Sequence, residues 1–330
     1  MQFWCSASTE PWSWTPTPYV GVWLVMALLV GWYVRVWRRT RPDRPLTDVE
    51  RRQPWWFALG ALMLWVATDW PVGALGAGYL ASVHMLQFMI YTLGAAPLLL
   101  MGMPEWFFER ARQRRSWEIV RQLSRPLVAG LLFNVVLLST HAPVVVDALR
   151  VSQVGSFAMD VVWLLSGLIL WLPLLNPDAS LRHRSMAVRA VYLFLASGAL
   201  PMLPGAFLVF APGPLYRVFE LAPPVFDISA ANDQQVAGLI MKVGNIPILW
   251  PVLLVLFVRW SRADAAATPP PRPPAALLEA TAIAATPARS PGATPGDGGA
   301  SGAADVADGA VGGPGPPGGE VGAGGPVGAR

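Results

Sequence analysis

Residues 78–101, GYLASVHMLQFMIYTLGAAPLLLM, run for 24 positions without an Asp, Glu, Lys or Arg. About 20 apolar residues carry a helix across the roughly 30 Å of bilayer hydrocarbon, so this stretch reads as a membrane span. Six further apolar runs lie at about 18–37, 54–75, 126–148, 154–175, 187–210 and 236–259, the second cut short by Asp69, Trp70 and Pro71. The whole chain agrees: of 330 residues, 54% are hydrophobic and only 13% charged, with mean hydropathy +0.45. A soluble domain carries roughly 25% charged residues, about twice this supply. The expected fold class is therefore all-α, a polytopic membrane bundle of about seven transmembrane helices.

Arginine placement sets the expected orientation. The loops after the first, third and fifth runs, with Arg259 and Arg262 at the end of the seventh, hold 16 arginines; the opposite segments hold only Arg150 and Arg217. Positive charge stays cytoplasmic during insertion. The N-terminus is thus expected outside and the C-terminus in the cytoplasm. The net charge of +4 is read the same way, as membrane topology. No nucleic-acid module is visible, so lipid and not nucleic acid is the expected surrounding partner.

Three regions follow. Residues 1–17 are expected as an external tail. They lack Lys and Arg, hence a signal peptide's basic n-region, and the first apolar run is read as a retained span. Trp4, Trp12 and Trp14 in that tail are expected at the membrane interface, where indole rings are favoured. Residues 18–262 form the seven-helix domain, and the Ala/Pro/Gly-rich residues 263–330 are read as a disordered cytoplasmic tail dispensable for chemistry, too poor in large apolar side chains to fold. Cys5 is the single cysteine, which excludes an internal disulfide, a CxxC pair and any multi-cysteine metal site.

Ionisable groups within spans cost about 2.5–3.5 kcal/mol each on insertion scales, so they mark where function is sought. His84 sits early in the third run, His141 late in the fourth, and Asp160 early in the fifth. Asp233, Gln234 and Gln235 open the seventh, with Met241 and Lys242 two turns deeper. Topology puts all of these in the outer leaflet. A rise of about 1.5 Å per residue places His84, His141 and Asp160 at similar depths, roughly 7–12 Å below the boundary. They are expected to approach one another, with Asp233 and Met241 nearby, and Asp160 is expected to have a partner: a His, Lys242, Ser156 or a cation. Imidazole and thioether suit copper, so His84, His141, Asp160, Met241 and Asp233 are the candidate metal ligands. The competing reading is that intramembrane histidines bond helices together and methionines pack. His183, beside Arg182 and Arg184, reads as a solvated loop residue. A retinal-type role for Lys242 fails for want of an acidic counter-ion in the third run.

The motifs carry a resemblance. The third run's SVHMLQFMIYTLGAAPLLLMGMP, the fourth's STHAPVVVDAL, the fifth's LLSGLILWLPLLNP and the seventh's NDQQVAGLIMKVGNIP occur in that order between about Gly21 and Arg262. Together they resemble the polytopic cytochrome c oxidase assembly factors of the CtaG family. The resemblance implies a bacterial plasma-membrane protein, not an enzyme, that assists maturation of a haem–copper oxidase in the respiratory chain, with oxidase subunits as partners and copper as the implied cofactor. It also implies that His84 and His141 stand at family histidine positions. Phe88, Ser156 and Asp160 stand where that pattern has three more histidines.

Two other functions are weighed against this. A metal or small-solute transporter should carry polar groups along its whole path, whereas the inner halves offer little beyond Asn134, Ser166 and Ser197. A structural membrane partner without metal would use the histidines only to join helices.

Overall fold

The computed structural model describes residues 2–113, 115, 117–182 and 185–267. His183 and most of the tail, residues 268–330, lie outside the described residues. Among the described residues there is no strand, only an isolated bridge between Gln2 and Tyr19. Five helices are long and apolar enough to cross a membrane, or seven if each of two bent pairs is one span. The protein is an all-α polytopic membrane bundle.

In chain order the helices are α1 (Val20–Thr40), α2 (Asp48–Thr68), α3 (Val72–Gly78), α4 (Ala81–Met101), α5 (Glu105–Ala111), α6 (Trp117–Leu123), α7 (Pro126–Thr140) and α8 (Pro143–Arg150). They continue as α9 (Gln153–Leu175), α10 (Met186–Phe210), α11 (Arg217–Glu220), α12 (Ala230–Val243) and α13 (Ile246–Ala267). Helix α2 begins about six residues before its apolar run. Thr47 accepts from the Glu50 N–H while the Glu50 carboxylate accepts from the Thr47 N–H, a reciprocal cap that starts a helix in polar sequence. It ends at Asp69, and α3 leaves at 49°. The fourth apolar run is likewise two helices, because Pro143 cannot continue the hydrogen-bond ladder of α7.

Helix α4 is the hub. Most of it is buried, and it packs against α2, α3, α9 and α12. Its middle turn, Ile90–Ala95, is π-helical. Helix α1 is peripheral, held by Tyr33, whose ring stacks on Phe57 at 3.7 Å and whose hydroxyl donates to Gly102 O at 2.9 Å. Helices α10 and α12 touch backbone to backbone at Gly205 and Gly238. A Cβ on Gly238 would stand 2.6 Å from Gly205 O, so this crossing needs glycine. The outward faces are apolar, with Leu127 84% and Phe210 80% exposed, as surfaces bathed in hydrocarbon require.

Trp4 does not lie at the interface expected from the sequence. Trp4 and Cys5 are buried in the bundle. Gln153 Oε1 accepts from the backbone N–H of Phe3 at 2.7 Å, and Ala7 N–H donates to Arg150 O at 2.8 Å. The Cys5 thiol donates to Thr68 O at 3.2 Å. Residues 2–8 thus form a strap across the histidine-bearing end of the bundle. Trp14 remains exposed and Trp12 is half-buried, stacked on Trp70.

Candidate metal centre

His84 lies one turn into α4, whose first turn is fixed from a distance. The Asp233 carboxylate of α12 accepts from the N–H of Ala81 at 2.6 Å and from the N–H and hydroxyl of Ser82. Asp233 is thereby the N-terminal cap of α4, matching its charge to the free N–H groups there. His141 ends α7, where the helix stops before Pro143, and its carbonyl accepts from the Tyr216 hydroxyl at 2.9 Å.

The two imidazoles meet. Their ring centres are 6.0 Å apart, and both side chains are buried. The Nδ1 of His84 is 3.2 Å from Gly76 O, and the Nδ1 of His141 is 2.8 Å from Leu137 O. A carbonyl only accepts, so both Nδ1 atoms carry the proton and each neutral ring leaves a lone pair on Nε2. Both Nε2 atoms are buried and have no hydrogen-bond partner among the described residues. The glycine at position 76 permits this approach: a Cβ there would stand 2.0 Å from the Gln87 amide oxygen and 3.1 Å from His84 N.

Aromatic rings enclose the pair. Trp163 of α9 lies edge-on to His84 at 4.9 Å and stacks on His141 at 5.7 Å, its indole N–H donating to Thr140 Oγ1 at 3.0 Å. Phe88 presents its edge to His141 at 4.7 Å, and Phe219 to His84 at 5.4 Å. Phe88, where the family resemblance leads one to expect histidine, is therefore a wall of the chamber. A cleft of about 280 Å³ between α7, α10 and α11, lined by Leu138, Pro143, Pro204, Leu208 and Tyr216, reaches His141.

Asp160 is occupied elsewhere. Its Oδ1 is 3.0 Å from Arg150 Nη2, and its Oδ2 accepts from the Trp4 indole at 2.8 Å. The Arg150 side chain is fully buried, with its guanidinium 4.9 Å over the Trp163 ring. Sequence reasoning counted Arg150 among the outer-segment arginines and missed this pair. The signal was present in the expected cost of an isolated Asp160. Met241 is buried against Gly205 at the α10–α12 crossing, and Lys242 is exposed. So the structure brings His84 and His141 together, ties Asp160 to Arg150 and Trp4, and uses Asp233 as a cap. Among the described residues no group of three or more His, Cys, Asp or Glu side chains is arranged to hold a metal ion.

The fit to copper rests on two imidazoles alone. Two metal–imidazole bonds of about 2.0–2.1 Å, each with a ring radius of about 1.1 Å behind it, reach a little over about 6 Å when collinear, so the 6.0 Å ring separation is within reach of one ion if both Nε2 atoms face it. Backbone acceptors on Nδ1 fix the orientation of both rings, as such bonds do for histidines that bind metal.

A many-helix membrane bundle that buries two imidazoles side by side among aromatic rings defines the class. The model of the cytochrome c oxidase caa3 assembly factor family (Caa3_CtaG) matches residues 3–263, and the chain belongs to that family. No curated protein and no solved structure matches it.

Proposed function

We propose that this chain serves the assembly of a haem–copper cytochrome c oxidase by holding copper(I) between His84 and His141, as cargo and not as a catalyst's cofactor. The observation that carries this reading is the pair of buried, unpartnered Nε2 atoms whose Nδ1 protons are already committed to carbonyls. Neutral imidazole suits copper, and the Arg150–Asp160 pair cancels its own charge. The arginine bias supports a chamber on the outer side of a bacterial plasma membrane, and delivery of copper to the oxidase from that side is part of this reading. Oxidase subunits are the proposed partners.

The test is copper content. Full-length protein purified under reducing conditions should carry stoichiometric copper. His84→Ala/His141→Ala should carry none, while the same cells lose oxidase activity and regain part of it with added copper. Copper retained by the double variant would sink the reading.

A second reading has its own observation. Arg150 Nε and Nη1 and Ser156 Oγ are also buried without partners. A buried water shared among such groups would make the chamber a structural polar cluster. The double variant would then lower the amount of folded protein with no copper dependence. The transporter reading loses support at the other end. Asn134 donates to Ala196 O at 3.1 Å, Ser166 to Trp163 O at 2.8 Å and Ser197 to Leu193 O at 2.9 Å, so these groups satisfy helices.

A further inference from the structure

The arginine-rich end of the bundle holds a cavity of about 460 Å³ that the copper reading does not use. Arg182 from the loop after α9, Arg189 from the first turns of α10 and Arg259 from late in α13 all line it. Arg182 and Arg259 stand close enough for their charges to act on Arg189. Like charges repel, so gathering three guanidinium groups is unfavourable unless an anion joins them. Among the described residues none of the three has a carboxylate within ion-pair distance. The two acids on the cavity wall are engaged elsewhere: Glu50 with Arg44 at 2.7 Å and Glu105 with Arg112 at 3.8 Å.

What the arginines do touch leaves capacity over. Arg189 gives one Nη2 proton to Leu174 O at 2.7 Å, and its Nε is buried with no acceptor. Arg182 donates to the carbonyl of Asn176 at 2.6 Å, which fixes its base and leaves other N–H groups of the fork. Arg259 is exposed. The rest of the wall is mixed: Thr47 and Gln53 lie on it, and Trp56, Met101, Leu174 and Leu175 form its apolar part. Trp56 and Met101 are each 38% exposed on the outer surface of the helices.

We infer that this cavity binds the phosphodiester headgroup of an anionic phospholipid, with Arg182, Arg189 and Arg259 around the phosphate and the apolar wall against the first acyl carbons. Arginine forks match phosphate oxygens in pairs, and basic pockets between membrane helices suit such headgroups. The apolar wall favours the lipid over a free phosphate ion. The arginines favour a lipid of net negative charge over a zwitterionic one.

The experiment follows thermal unfolding of the purified full chain in detergent under titration with phosphatidylglycerol, phosphatidylcholine or inorganic phosphate. Phosphatidylglycerol should raise the unfolding temperature with saturation, and the other two should not at equal concentration. Arg189→Gln/Arg259→Gln should raise the half-saturating phosphatidylglycerol concentration at least tenfold. Arg262→Gln, an exposed arginine that does not line the cavity, should leave it unchanged. If the double variant does not fold, Arg259→Gln alone should still weaken the response several-fold. An unchanged half-saturation in the variants, an equal response to inorganic phosphate, or no response to phosphatidylglycerol would overturn the assignment.

Discussion

Trp4 and Asp160, separated by 156 positions in the chain, share a hydrogen bond of 2.8 Å at the buried end of the bundle. The indole supplies the second of two donors to a carboxylate whose other oxygen faces Arg150. A carboxylate in this setting is tolerated only because both of its oxygens are satisfied. The bond also holds the N-terminal strap down, assisted by the edge of Phe157 against Trp4 at 4.9 Å.

Trp4→Ala should therefore loosen the strap as well as lower stability. Loss of a hydrogen bond to a charged group costs about 1.5–3 kcal/mol, before any lost packing. Cys5, buried beside Trp4, should resist a maleimide reagent in the native protein and react in the variant. Equal labelling rates would show that the strap is held by its other contacts.

Arg150→Met should destabilise the bundle more than any surface change, by about 3–5 kcal/mol, because it strands Asp160 without its counter-charge. Arg150→Met/Asp160→Leu should recover most of that loss. Thermal unfolding of the three proteins measures it. A double variant no better than the single one would mean that Arg150 works chiefly through Trp163 and the backbone.

Asp233→Ala should cost about 1 kcal/mol, the usual value of a helix N-cap, and should leave copper content intact. The sequence places Asp233 among candidate ligands, whereas its oxygens face the first turn of α4. Full stability combined with lost copper would return it to the ligand set.

In a Cys5→Ser background, a cysteine placed within residues 212–234 should label with a membrane-impermeant reagent in intact cells, and one within 104–125 should not. The reverse pattern would invert the orientation, moving the histidine chamber to the cytoplasmic side.

The spans were legible because an apolar run of about 20 residues has few other uses. The break at Asp69-Trp70-Pro71 was visible too. His84 and His141 were legible as a pair through depth, since topology fixes which leaflet each residue occupies. Arg150 was not. Counting arginines treats each one outside a span as a topological marker, and only the folded chain shows that one of them has turned inward to Asp160. The strap escaped for a related reason. Several of its contacts are bonds of its backbone to Gln153 and Arg150, and the rest reach residues distant in the chain, so none leaves a pattern in local sequence. Asp233 illustrates a third limit. A cap donated from another helix has none of the i to i+3 spacing by which Thr47 and Glu50 announce the start of α2.

The strap also imposes an order on biogenesis. Residues 2–5 are made well before their partners Gln153 and Asp160 of α9, so this segment must wait until the fifth apolar run has been inserted. His84 and His141 come from α4 and α7 and are both present before that moment. Through that interval the strap has no seat, because Asp160 is not yet in the membrane to hold it. The strap is thus made before its seat, and its docking reports that the fifth apolar run has arrived in register.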